Sequence, residues 1–73
     1  MLIPDTIIRI VAAGGGVIID LKKQSLLPDT LVRIAAVAGS SGANVTIKNH
    51  DALLPDTLIR IAAAGRGNIV FEL

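Results

Sequence analysis

Cysteine, tryptophan and tyrosine are absent from this chain, and phenylalanine occurs only once, as Phe71. Without cysteine the chain cannot form disulfides or thiolate metal sites. Its single histidine, His50, also excludes a site in which several histidines of one chain bind a metal. We therefore predict no metal and no cofactor, and a core built from Ile, Leu, Val and Ala.

Charge is scarce as well. Charged residues make up 18% of the chain, against about 25% in typical soluble domains, and the net charge is only +1. This composition offers no basic surface for nucleic acid or for an anionic membrane. The longest uncharged run, residues 34–47, is shorter than the roughly 18 residues of a spanning helix. The first residues also lack the segments of a signal peptide, so we predict a cytoplasmic protein without nucleic-acid or membrane partners.

The chain is both short and hydrophobic. It has 73 residues, of which 52% are hydrophobic, and a domain of this size buries only about 60% of the surface that its unfolded chain exposes. Small domains without disulfides or metals commonly gain the missing stability by associating. We therefore predict that apolar surface remains for a partner. The chain is expected to be a homo-oligomer, with a dimer favoured, or to pack against further repeats.

Three tandem copies of one unit account for the whole chain, which we interpret as a single domain with repeats at residues 1–25, 26–52 and 53–73. Each unit opens with Leu or Ile followed by Pro-Asp-Thr. The prolines are Pro4, Pro28 and Pro55. Their second spacing is three residues longer than the first, so we predict an insertion at residues 40–43, in the loop after the second helix, where extra residues are tolerated.

Each unit begins with signals for a helix. Proline fits the first helical position, and the aspartate after it suits the positive end of the helix dipole. In that register an apolar residue before the helix packs on one in its first turn, as a hydrophobic staple. The staple pairs are Leu2 with Ile7, Leu26 with Leu31, and Leu53 with Leu58. The alternative register makes Asp5, Asp29 and Asp56 the N-caps, and both registers remain open. Glycines are predicted to end the helices, at Gly14, Gly39 and Gly65.

A strand pattern follows each helix, at residues 17–22, 45–48 and 69–73, where β-branched residues are common and apolar and polar residues alternate. Helices and strands that alternate with short connections give parallel strands, and right-handed crossovers place the helices on one face. The predicted fold class is therefore α/β: three tandem α-β repeats that form a three-stranded parallel sheet, in the order 1-2-3, with three helices on one face. One set of strand residues packs under the helices: Val17, Ile19, Leu21, Val45, Ile47, Ile69, Phe71 and Leu73.

The other set of strand residues forms an open face of the sheet, which is unusual because parallel sheets are normally covered on both faces. Aligning the strands on Val17, Val45 and Ile69 places an apolar row beside a charged row. The apolar row is Ile18, Thr46 and Val70, and the charged row is Asp20, Lys48 and Glu72. We predict that these six residues form an interface. A second copy would join either face to face across this surface or edge to edge through the outer strands.

The loops that lead from strands to helices suggest an alternative function. They lie at the carboxyl ends of parallel strands, where open α/β sheets bind ligands, and helix N-termini at the same edge favour anions. If the protein binds a small anionic ligand, the predicted binding residues are Lys22, Lys23, Ser25, Asn49 and His50.

The remaining features indicate a scaffold rather than an active site. Asp and Arg recur four residues apart in every unit and are interpreted as surface ion pairs. These pairs are Asp5–Arg9, Asp29–Arg33 and Asp56–Arg60. The glycine-rich turns run from a helix into a strand, opposite to the direction of a phosphate-binding loop. His50 and Asp51 are adjacent in a turn, and no nucleophile motif is present. We predict no catalytic activity and a small self-associating module with a structural or interaction role.

Overall fold

The computed structural model of the protein describes residues 3–72, which form three helices and a three-stranded parallel sheet. In chain order the elements are α1 (Pro4–Ala12), β1 (Val17–Asp20), α2 (Pro28–Ser41), β2 (Val45–Lys48), α3 (Pro55–Gly65) and β3 (Ile69–Glu72). The strand order is β1-β2-β3. The predicted α/β class and sheet order are confirmed.

The register of the sheet is the predicted one. Val17 pairs with Val45, and Val45 pairs with Ile69. The remaining strand residues pair in the same register. The first strand is shorter than predicted, because the N–H groups of Lys23 and Gln24 both donate to the Asp20 carbonyl and turn the chain. The predicted strand end at Lys22 is therefore wrong. Leu73, assigned to the third strand, lies outside the described residues.

The helices begin at proline, which decides between the two registers that the sequence left open. The N-cap residues are Ile3, Leu27 and Leu54, all extended and none with a side-chain capping bond. A residue before proline is pushed away from helical angles by the proline ring, so each helix starts at the proline itself. Aspartate then occupies the first turn, where it meets the helix dipole. Leu2, of the first staple pair, lies outside the described residues.

The predicted end of the second helix at Gly39 is wrong. The helix α2 continues through Gly39 to Ser41 and ends at Gly42, whose φ of 80° is left-handed. The three extra residues of this repeat therefore lengthen a helix instead of a loop. Gly39 has a different reason to be glycine: an added Cβ would lie 2.9 Å from the Ala64 carbonyl oxygen. Its missing side chain permits close approach of α2 to α3.

The hydrophobic core lies between the helices and one face of the sheet. It is densest in the second repeat, where Leu31, Ile34, Val45 and Ile47 are all at most 1% exposed. The second repeat is flanked on both sides, whereas each outer repeat has one neighbour. Burial in this fold therefore depends on the position of a repeat as well as on its sequence.

Polar side chains also join neighbouring repeats. Ser41 donates its hydroxyl to the Val11 carbonyl at 2.7 Å, and Asn68 donates its amide to the Ala38 carbonyl at 3.0 Å. Carbonyl groups in the last turn of a helix lack partners within the helix. The Val11 and Ala38 carbonyls each accept a backbone N–H as well, from Gly14 and Gly42, so each side-chain bond adds a second donor from the following repeat.

The predicted surface ion pairs are realised only in part. Arg9 lies 3.2 Å from Asp5, with both side chains exposed. Within the described part of the chain, the corresponding pairs in α2 and α3, Asp29–Arg33 and Asp56–Arg60, do not form an ion pair. Exposed pairs contribute little because water screens them and long side chains lose freedom. The packing of the helices does not depend on these ion pairs.

Candidate functional site

The open face of the sheet is the largest feature that the sequence singled out, and the structure places its apolar row as expected. Ile18 is 72% exposed and Val70 is 52% exposed, while Thr46 between them is half-buried by its neighbours. All three helices pack against the opposite face, where Ile19, Val45 and Ile47 are buried. The described chain therefore leaves an aliphatic strip on one side of the sheet without cover.

The charged row lies beside this strip, as the register predicts. Lys48 lies 4.0 Å from Glu72 and is flanked on its other side by Asp20. Asp20 is held by hydrogen bonds rather than by an ion pair with Lys48: it accepts the Asn49 side-chain amide at 2.6 Å and the Lys22 N–H at 3.0 Å. The row is thus anchored at one end by a loop residue of the next repeat.

These contacts set the acidity of Asp20. The hydrogen bond from Asn49 and the N–H of Lys22 hold the pKa of the Asp20 carboxyl below its ordinary value of 3.8, and the charges of Lys23 and Lys48 act in the same direction. A carboxyl whose pKa is lowered by folding stabilises the fold above its unfolded pKa. That contribution is lost as the pH falls below 3.8 through the folded pKa.

The substitution Asn49→Ala is expected to raise the pKa of Asp20, because it removes the largest cause of the lowered value. A pH titration of the Asp20 carboxyl carbon by NMR would measure the change. Asn44→Ala is the matched control, since Asn44 is an exposed asparagine ahead of the neighbouring strand and does not contact Asp20. An unchanged Asp20 titration in the Asn49 variant would show that this bond does not form in solution.

The predicted ligand-binding residues lie in two loops at the carboxyl edge of the sheet. Lys22, Lys23 and Ser25 are exposed. Asn49, with a left-handed φ of 59°, is turned toward Asp20. The His50 ring packs edge-on against Phe71, with ring centroids 5.5 Å apart. The structure thus brings Asn49 and His50 into contacts within the protein, and their role in binding an anion stays a prediction.

The surface has two shallow cavities, of which only the first adjoins these loops. One of about 250 Å³ joins the open face to the first loop and is lined by Ile18, Asp20, Lys23 and Gln24. The other, of about 400 Å³, lies between the C-terminal parts of α1 and α2 and has no charged residue in its lining. Sequence reasoning missed the second cavity, because it depends on α2 extending past the end of α1.

Sequence reasoning also missed four exposed aliphatic side chains, three of them just before a helix and one within α3. Ile3, Leu27 and Leu54 each precede the proline of a repeat and are 66–72% exposed. Their recurrence at one position of the repeat was a visible signal. Ile59, in α3, is 66% exposed and had no such signal, because its counterparts Ile8 and Val32 are half-buried.

Comparison with known proteins supplies no relative: no protein-family model matches this chain, and no curated protein or solved structure matches it. No helix within residues 3–72 has the length and apolar character needed to cross a membrane. The same residues contain no group of three or more His, Cys, Asp or Glu side chains that could hold a metal ion.

Proposed function

We propose that this protein is a small, non-catalytic, cytoplasmic module that self-associates through the open face of its sheet, with a structural or interaction role. One observation carries the proposal: a parallel sheet that is packed on one face only, with Ile18 72% exposed on the other. Parallel sheets are normally covered on both faces. A second copy that stacks its own open face on this one would supply the missing cover.

The composition of the open face supports a contact between two copies. The aliphatic row of Ile18, Thr46 and Val70 can exclude water at the centre of the contact. The charged row of Asp20, Lys48 and Glu72 carries both signs. In a two-fold stack the same surface meets itself, so the lysine of one copy can approach an acid of the other. Aliphatic centres with polar rims are typical of protein interfaces.

Light scattering after size-exclusion chromatography tests this proposal. The wild-type chain is expected to show at least twice the mass of the 7.5 kDa monomer, with a fall on dilution. Ile18→Lys should lower the mass well below that of the wild type at the same concentration, because it places an ammonium group in the centre of the contact. Leu27→Lys is the matched control: Leu27 is also 72% exposed but lies at the start of α2.

The two variants should retain the wild-type circular dichroism spectrum, because both replaced side chains are exposed. A wild-type monomer at high concentration would contradict the proposal. Equal masses for the Ile18 and Leu27 variants would show that the association does not use the open face.

A further inference from the structure

The burial of side chains can be compared at equivalent positions of the three repeats. The comparison shows which positions face the following repeat and which face the preceding one. The position seven residues after the proline is buried in the first two repeats, as Val11 and Ala35, each 0% exposed. The same position in the third repeat, Ala62, is exposed. Ile59, 66% exposed, is one turn away on the same stripe of α3. These residues face the following repeat wherever a following repeat is present. We call Ile59, Ala62 and the outer edge of β3 the third-repeat flank.

The opposite flank shows the reverse pattern. The position six residues after the proline is buried in the second and third repeats, as Ile34 and Ile61, at 1% and 0% exposure. In the first repeat, Ile10 at this position is only half-buried. This position faces the preceding repeat. We call Ile10, Ala13 and the outer edge of β1 the first-repeat flank.

The hydrogen bonds of the sheet point the same way. Val17 donates its N–H to the Asn44 carbonyl, and Val45 donates to the Asn68 carbonyl, at 3.1 and 2.9 Å. By the same register Ile69 directs its N–H outward from β3, and Gly16, which corresponds to Asn44 and Asn68, directs its carbonyl outward from β1. The outer edges of β1 and β3 each carry both N–H and C=O groups, and the register inside the chain would pair the Ile69 N–H of one copy with the Gly16 carbonyl of the next.

We propose that the third-repeat flank binds the first-repeat flank of a second copy, so that the sheet and the helix layer continue from one molecule into the next. The chain itself contains two contacts of this kind, between the first and second repeats and between the second and third. We call each such contact a joint and take the two internal joints as the template. The contact between copies extends the self-association proposed above to a different surface. Because the two flanks differ, the joint is head-to-tail, and an open assembly has one unoccupied flank at each end.

The proposed joint differs from the internal joints in its charges. Inside the chain Lys48 separates Asp20 from Glu72, whereas the joint would place Glu72 directly beside Asp20 of the second copy. Like charges opposite each other on neighbouring strands are destabilising. The joint is therefore weaker than the internal ones, and Glu72→Lys should tighten it by roughly two- to fivefold, the equivalent of one favourable cross-strand pair.

The experiment uses a chain whose open face is blocked by Thr46→Lys. Thr46 is in the central strand, so this change leaves both flanks intact. In that background Ala62→Lys blocks the third-repeat flank and Ile10→Lys blocks the first-repeat flank. Ala63→Lys is the matched control, because the equivalent residues Ala12 and Ala36 stay exposed even where a following repeat is present. Sedimentation velocity measures mass against concentration.

The Thr46 variant and its Ala63→Lys derivative are expected to associate as concentration rises. The derivatives with Ala62→Lys or Ile10→Lys should each associate at least about tenfold more weakly, because the joint would bury an unpaired ammonium group. Mixing these two derivatives should restore one joint, giving a one-to-one dimer and nothing larger, since each still has the flank that the other lacks. If Ile10→Lys does not fold by circular dichroism, Ala13→Lys at the exposed end of α1 replaces it.

Three results would overturn the inference. The Thr46 variant could stay monomeric at millimolar concentration, or the mixture of folded derivatives could fail to associate. A dimer of the Ile10→Lys derivative alone would instead indicate a two-fold joint between third-repeat flanks. None of these results bears on the open face, which is decided separately by the comparison of Ile18→Lys with Leu27→Lys.

Discussion

Replacing Ile34 with alanine is expected to lower the free energy of unfolding by about 3–4 kcal/mol. Ile34 is 1% exposed and belongs to the buried core of the second repeat. Its truncation removes apolar burial and leaves a cavity in a region that is packed from both sides. A domain of 73 residues has a total stability of only about 4–11 kcal/mol, so this single change removes a large part of it.

Ile10→Ala is the matched control for this prediction. Ile10 occupies the equivalent position of the first repeat but is only half-buried, so we expect a loss of about half that size, in proportion to the area it removes from water. Urea denaturation followed by circular dichroism measures both variants, at one protein concentration because association adds to apparent stability. Equal losses at the two positions would contradict the unequal burial of the repeats. A second copy bound to the first-repeat flank would bury Ile10 as well and could also make the losses equal. In that case the loss for Ile10→Ala would become smaller as the protein is diluted.

Gly39→Ala is expected to destabilise the fold by about 1–3 kcal/mol, the usual range for overpacking. This sign is opposite to the helix propensity, by which alanine is better than glycine by about 1 kcal/mol inside a helix. The reason is steric: the new Cβ would lie 2.9 Å from the carbonyl oxygen of Ala64 and 3.2 Å from that of Gly65. Both are backbone atoms of α3, so relief requires the two helices to move apart.

Ser40→Ala tests the propensity term alone. Ser40 is the next residue of the same helix and is exposed, so alanine there should leave stability unchanged or raise it by up to about 0.5 kcal/mol. Thermal and urea unfolding of the two variants give the comparison. A more stable Gly39→Ala protein would mean that α2 and α3 are not held at the close approach seen here.

The open face illustrates how far the sequence leads toward a site. Its six residues fall in the predicted rows, because alternation with a period of two assigns each strand residue to a face and the repeats supply the register. The contact that anchors the charged row could not be predicted. Asn49 reaches Asp20 from a loop 29 residues later in the chain, and its sequence context resembles that of any solvated turn. The third-repeat flank was equally hidden, because Ile59 and Ala62 resemble the half-buried and the buried residues at the same positions of the other repeats.

The sequence by itself determined the repeat, the α/β class, the strand order and the register of the sheet. These features follow from local chemistry: the recurring proline marks each repeat, and alternating side chains divide a strand between two faces. Only the structure decided that the helices start at proline, that Gly39 lies inside a helix, that the extra residues lengthen α2, and that equivalent positions differ in burial. Those outcomes depend on distances between segments of different repeats. Because the three repeats share one local pattern, the pattern cannot show which repeat has a neighbour on each side.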